Sequence, residues 1–167
     1  MSPSLTLKQL VAPPITAEAF APFGQLIVPS TDGAPFGPQD AQLMLNGGIP
    51  RFYIMTLAHR GVRFRSITRH QRCTQCLGAL EGKDWWMAVA PPRSAEHPNP
   101  GEIRAFQIPG DCFIKLEVGT WHAGPYFSHP QVNFYNLELS DTNIVDHQTC
   151  DLAREFGVEF EIVGSGG

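Results

Sequence analysis

Ile103-Arg-Ala-Phe-Gln-Ile-Pro-Gly-Asp-Cys-Phe-Ile-Lys-Leu-Glu-Val-Gly-Thr-Trp-His122 is the stretch that decides the fold. Two short apolar-rich runs, Ile103 to Ile108 and Cys112 to Val118, flank the turn signal Pro109-Gly110-Asp111. Runs of this length bounded by Gly and Pro read as strands. Gly119 to Pro125 then reads as a compact turn. Working outward, Phe52 to Leu57 is rich in β-formers, and Arg63 to Ile67 alternates in part. Trp85 to Ala90 is an apolar run stopped by Pro91-Pro92, and Ser94 to Gly101 is a loop. Val132 to Leu139 and Val158 to Val163 supply later strands. Thr16 caps a helical turn reaching Phe20, with Glu18 in its first turn, and Gly24 to Val28 begins a strand. Ser30 to Gly48 is a long loop over a barrel mouth or at a subunit contact. Asp151 to Phe156 is a short helix, and Gly164 to Gly167 a flexible tail. Many short strands with turn signals between them predict a sandwich or closed barrel and not a βαβ sheet.

Length and composition agree with that reading. The 167 residues fit one domain spanning 1–167. Hydrophobic residues make up 43%, enough for an ordinary core. Charged residues are only 17%, below the usual quarter or so, which suits a chain hidden on an inner face. The formal net charge is −4 and Lys and Arg form no run, so nucleic acid and anionic membrane are not expected partners. Met1 to Gln9 lacks a secretory pattern, and no segment approaches the roughly 18 apolar residues of a membrane span. The expected location is the cytoplasm, with the four cysteines as reduced thiols.

Two segments carry polar, imidazole-bearing chemistry beside apolar strands. The first is Arg69-His70-Gln71-Arg72-Cys73-Thr74-Gln75-Cys76 and the second is Lys115-Leu-Glu117-Val-Gly119-Thr-Trp121-His122. A small barrel interior is apolar unless it holds a ligand. Alternation puts Ile114, Leu116 and Val118 on one face and Lys115 and Glu117 on the other. Solvent is one destination for that second face; a shared mouth with His122 is the other. Asn136 and Phe134 share a face and either line the pocket or divide plainly between surface and core. Trp85 and Trp86 point to opposite faces. Arg63 and Arg65 share a solvated face, and His59, His97 and His129 lie near turns in exposed positions. Cys73-x-x-Cys76 with His147-x-x-Cys150 has zinc-like spacing, but residues three apart on a strand diverge.

Together these segments resemble the two motifs of cupins, with His70 in the first and His122 in the second. More narrowly, the chain resembles the ureidoglycolate lyase family. The stretches that carry the resemblance are Ile15-Thr-Ala-Glu-Ala-Phe-Ala-Pro-Phe-Gly24, Arg69 through Gln75, Trp121-His122 and Asp141-Thr-Asn143. This chain departs from the family pattern at Thr68, where an acid is common, at Glu117, where a His is common, and at Ala123-Gly124-Pro125, where the proline comes earlier. The resemblance implies a mainly β, cupin-type double-stranded β-helix (jelly-roll) barrel with short helices near the termini, pairing as a homodimer. It implies a small-molecule carboxylate substrate, ureidoglycolate, cleaved to glyoxylate and urea in allantoin and purine nitrogen catabolism.

Such a cleavage needs a cation for the substrate carboxylate, a base for its hydroxyl and an acid for the leaving nitrogen. Arg69 or Lys115 is the candidate cation, His122 or Glu117 the base, and His70 a metal ligand or second proton-transfer group. Gln75, Trp121 and Asn136 complete the substrate-binding set. His70, Glu117 and His122 would suit a divalent Fe, Ni, Mn or Zn ion; a metal-free pocket binding by hydrogen bonds is the equal alternative. His70, Gln75, Lys115, Glu117 and His122 are therefore expected to converge on one cavity. A non-catalytic small-carboxylate-binding cupin, and a metal-dependent cupin enzyme on another small carboxylate, are the competing readings.

Overall fold

The computed structural model describes residues 4–165. Among them the chain forms β1 (Thr6–Ala12), α1 (Ala17–Phe20), β2 (Gly24–Ile27), β3 (Pro50–Ala58), β4 (Arg63–Phe64), β5 (Ser66–Arg69), β6 (Gln75–Ala79) and β7 (Gly82–Ala90). There follow β8 (Arg104–Gly110), β9 (Phe113–Leu116), β10 (Trp121–Tyr126), β11 (Gln131–Leu139), α2 (Thr142–Val145), β12 (Gln148–Asp151), α3 (Leu152–Phe156) and β13 (Val158–Gly164). Thr16 caps α1 by accepting the Ala19 N–H, and Asp151 caps α3 by accepting that of Arg154. No helix among the described residues is long and apolar enough to cross a membrane.

Strand order identifies the architecture. One sheet runs β2-β9-β6-β11-β3 and a second runs β12-β5-β10-β7-β8. In chain order the strands from β3 to β11, β4 aside, cross between these sheets at every step except β7 to β8, a pair within the second sheet, and the last, β11, pairs antiparallel with the first, β3. That is the double-stranded β-helix, or jelly roll. The two sheets face one another without joining, so the expected closed barrel is an open sandwich of two sheets. A third sheet, β1-β13-β4, has β1 parallel to β13.

Two cores follow from the alternation of side chains. Between the facing sheets lie Leu77, Trp85, Met87, Val89, Ile114, Leu116 and Phe134. The outer face of the second sheet presents Ile67, Ala88, Ala90, Trp121, Ala123 and Tyr126, and β13 covers it with Val158, Phe160 and Ile162. The second sheet is thus buried on both sides. As expected, Trp85 and Trp86 part company: Trp85 enters the inner core and Trp86 packs against the outer one.

Three sequence readings are corrected here. Gly119 to Pro125 is not one compact turn, because Trp121–Tyr126 is β10, hydrogen-bonded to both β5 and β7. A register shift between Ala123 and Tyr126 absorbs Gly124 and Pro125, as a bulge can within a paired strand. β6 carries no alternation because every one of its residues is buried. Gly78 is needed there, since a Cβ would run into the Tyr135 ring and lie 2.8 Å from Phe113 Cβ. The loop after β2 does not cap the mouth: it crosses the outside of the first sheet, where Gln25 holds the carbonyls of Pro38 and Asp40 and Thr74 holds Met44. Gly164 belongs to β13, and Gly166 and Gly167 lie outside the described residues.

Candidate active site

Strand parity decides which of the polar residues meet. On β6 and β11, Gln75, Asn136 and Glu138 share the inward parity of Leu77 and Phe134, and all three are buried. Tyr53 joins them from β3, and His122 from β10, where it pairs with Thr68 and Val89. His70, just past β5, places its ring 5.0 Å from that of His122 and 5.6 Å from that of His147. These side chains, with Arg60 and Asn143, line an inner cavity of about 200 Å³. A second chamber of about 340 Å³ adjoins it, sharing Arg60, His122 and His147 and adding Thr68 and Thr149.

Hydrogen bonds fix the chemistry of each group. His70 Nδ1 lies 2.6 Å from the Asp146 carbonyl oxygen. A carbonyl only accepts, so Nδ1 carries the proton and Nε2 keeps the lone pair when the ring is neutral. The Asp146 carboxylate also accepts the backbone N–H groups of Gln71 and Arg72, both at 2.8 Å, which ties the loop after β5 to the end of α2. His122 is pushed down to about 3 by burial of its ring and then by the nearby imidazoles of His70 and His147. It is therefore neutral at physiological pH, and its buried Nδ1 has no partner among the described residues. Tyr53 is raised above the usual phenol range, chiefly by burial and then by Glu138, and stays a donor. Its hydroxyl donates to Glu138 Oε1 at 3.1 Å and accepts from Asn136 Nδ2 at 3.0 Å.

Of the five residues expected to converge, the cavity brings together His70, Gln75 and His122, with Asn136 beside them, and not Lys115 or Glu117. Lys115 points to the far side of the first sheet, where it is only 1% exposed beneath the outer loop and paired with Glu117. Its strand partners on that face are Gln25 and Cys76, because the inward parity of β9 belongs to Ile114 and Leu116. Glu117 borders a narrow cleft with His70, Thr120 and His122, but its carboxylate turns to Lys115. Arg69 and Trp121 have outward parity in the second sheet and lie in or beside the outer core. The guanidinium of Arg69 stacks 4.5 Å from the Trp121 ring and donates to Gln148 Oε1 and the Arg93 carbonyl. Neither lines the cavity, so the cation at the site is Arg60. Sequence reasoning missed Tyr53, Arg60, Glu138 and His147. The inward parity of Tyr53, Asn136 and Glu138 was the available signal, since polar residues at core positions of strands demand a reason.

Of the candidate ligands His70, Glu117 and His122, all three border one narrow cleft, and the Glu117 carboxylate is paired with Lys115. Among the described residues, no group of three or more His, Cys, Asp or Glu side chains is arranged to hold a metal ion. The zinc-like cysteines are dispersed: Cys73, in the loop before β6, meets Thr142 at 3.5 Å, Cys76 lies beside Lys115, and Cys150 is in the outer core, all as free thiols.

A family model described as ureidoglycolate lyase matches residues 46–159, a span that contains every cavity-lining residue. The chain belongs to the ureidoglycolate lyase family. Its relatives include the ureidoglycolate lyase of Azotobacter vinelandii, 29% identical over 65% of this chain and 72% of that one. That of Pseudomonas fluorescens is 28% identical over 87% of this chain and 90% of its own length. Among solved structures, a dTDP sugar isomerase from Desulfovibrio desulfuricans aligns over 70% of this chain and 75% of its own, at 14% identity and a TM-score of 0.42. The jelly-roll assignment rests on strand order and not on that alignment.

Proposed function

We propose that the inner cavity cleaves ureidoglycolate to glyoxylate and urea. The observation that carries the proposal is the orientation of His70: its Nδ1–H is committed to Asp146, so Nε2 is free to accept a proton inside a polar cavity of a family member. Ureidoglycolate bears a hydroxyl, a carboxylate and a ureido nitrogen on one carbon. In the proposed step Nε2 takes the hydroxyl proton, the C–O bond becomes C=O, and the C–N bond breaks with its electron pair going to nitrogen. The same imidazole then returns the proton to that nitrogen, so one group serves as base and acid and the atoms balance. Neutral His122 orients the hydroxyl through its unpartnered Nδ1, and Arg60 holds the carboxylate.

The step as written uses side chains alone. The test is glyoxylate and urea release from ureidoglycolate by the purified protein, with chelator or with added divalent ions. Equal release of both products at a chelator-insensitive rate is expected. A rise in melting temperature with ureidoglycolate but no glyoxylate would leave only a carboxylate-binding module. The wider setting proposed is allantoin and purine nitrogen breakdown in the cytoplasm.

The proposal extends to a homodimer. β3 is a sheet edge with unpaired backbone groups. Its outer face exposes Phe52 (70%) and Ile54 (61%), with Ile49 just before it (74%). An apolar surface on an open edge favours pairing with a second copy.

A further inference from the structure

Inside the cavity the hydrogen-bond donors run out before the acceptors do. Gln75 Nε2 donates to Asn136 Oδ1 at 3.1 Å and to Glu138 Oε2 at 3.4 Å. Both partners are acceptors, so the amide nitrogen faces them and Oε1 faces the other way. That Oε1 is buried and has no partner among the described residues. Glu138 is 1% exposed, and among the described residues its carboxyl oxygens receive the Gln75 amide and the Tyr53 hydroxyl, neither of them a cation. A carboxylate has about four acceptor positions, and a buried acceptor left unmade is destabilising. At the mouth the sign reverses. Arg60 donates to the Pro125 carbonyl at 3.3 Å and lies over the Tyr126 ring, with no carboxylate partner among the described residues.

We propose that Gln75 Oε1 and the Glu138 carboxyl group form a subsite for the N–H groups of a ureido end, with the substrate carboxylate turned outward to Arg60. This rests on the ureidoglycolate reading and deepens it. The subsite matches N–H-rich ends in general (ureido, carbamoyl, guanidino), and the rest of the cavity requires a carboxylate at the opposite end. The orientation puts the carbon that bears the hydroxyl between the two ends, beside His70 and His122.

Urea and glyoxylate report on the two ends separately as product inhibitors. Gln75→Leu is expected to weaken inhibition by urea about tenfold, the equivalent of one lost hydrogen bond of about 1.4 kcal/mol, and to leave inhibition by glyoxylate unchanged. Arg60→Ala should do the reverse. Equal losses for both products in Gln75→Leu, or loss for glyoxylate alone, would overturn the orientation. If Gln75→Leu does not fold, unaltered protein decides: dimethylating the terminal ureido nitrogen removes its two N–H donors, so kcat/KM should collapse, and undiminished turnover of that analogue would refute the subsite. The underlying reading fails differently. Protein that binds urea, by thermal shift, in a Gln75-dependent manner yet releases no glyoxylate would retain the subsite and lose the reaction.

Discussion

Three imidazoles stand within one small volume at the residue scale, and their neighbours set what each can do. His70 has one nitrogen fixed by Asp146 and the other free. His70→Asn keeps an N–H donor for the Asp146 carbonyl while removing the proton-carrying nitrogen. It should retain the fold and lose about 10²- to 10⁴-fold in kcat, the usual contribution of a general acid–base group. His122→Ala removes one orienting hydrogen bond and should cost about tenfold in kcat with the fold intact. A normal rate with a lower melting temperature in either variant would assign that histidine to packing alone. His122 also makes stability depend on pH. Its pKa is about 3 when folded, against about 6.5 for an unfolded chain, so below pH 6.5 the unfolded state binds a proton that the folded state refuses. This contribution is fully present above pH 6.5. It declines by up to about 1.4 kcal/mol per pH unit as the pH falls towards 3. Melting curves from pH 7 to 4 should therefore fall more steeply for the native sequence than for His122→Ala, and parallel curves would count against a buried neutral His122.

β10 shows how an element sorts neighbouring residues into different jobs. Trp121 and His122 are adjacent in sequence, yet one enters the outer core and the other the cavity. The strand's two faces serve a packed core and a cavity because β13 covers one side and the first sheet faces the other. Arg69 follows the same parity on β5 and serves Trp121, Gln148 and the Arg93 carbonyl. Arg69→Met should therefore destabilise by about 1–3 kcal/mol, through buried hydrogen bonds left unmade, with KM for substrate unchanged. Urea denaturation beside steady-state kinetics checks both halves; a raised KM with native stability would return Arg69 to substrate binding. Gly119, at φ 85° with Pro92 Cβ 3.3 Å from where a Cβ would sit, ends the β9 turn and sets the phase with which β10 begins.

For the whole molecule, the outer sheet faces have different fates. The third sheet covers the second sheet, and the loop after β2 covers the middle of the first. The face of β3 stays open, with Phe52 against Tyr135 and Ile54 exposed. A stable pair needs about 800 Å² per partner. Ile54→Lys should convert a dimer to monomer in sedimentation at micromolar concentration while leaving the melting cooperative. A native protein that sediments only as monomer would end the proposal.

The sequence by itself determined most strands, the cap at Thr16, the short helix near Asp151 to Phe156, and the two motifs centred on His70 and His122. Local turn chemistry and the period of two are written in neighbouring residues. It also showed that Lys115 and Glu117 oppose Ile114 and Leu116. Tertiary structure alone decided which of those faces was the interior. Parity relates residues within one strand but carries no label for inside, and here a strand can be buried on both sides, as β6 is. For that reason Lys115, Arg69 and Trp121, buried polar and aromatic residues within the two motif segments, lie off the cavity, while Tyr53, Arg60, Glu138 and His147 reach it from other parts of the chain. Their meeting depends on β3 pairing with β11 across the whole jelly roll, a long-range contact that no local pattern encodes.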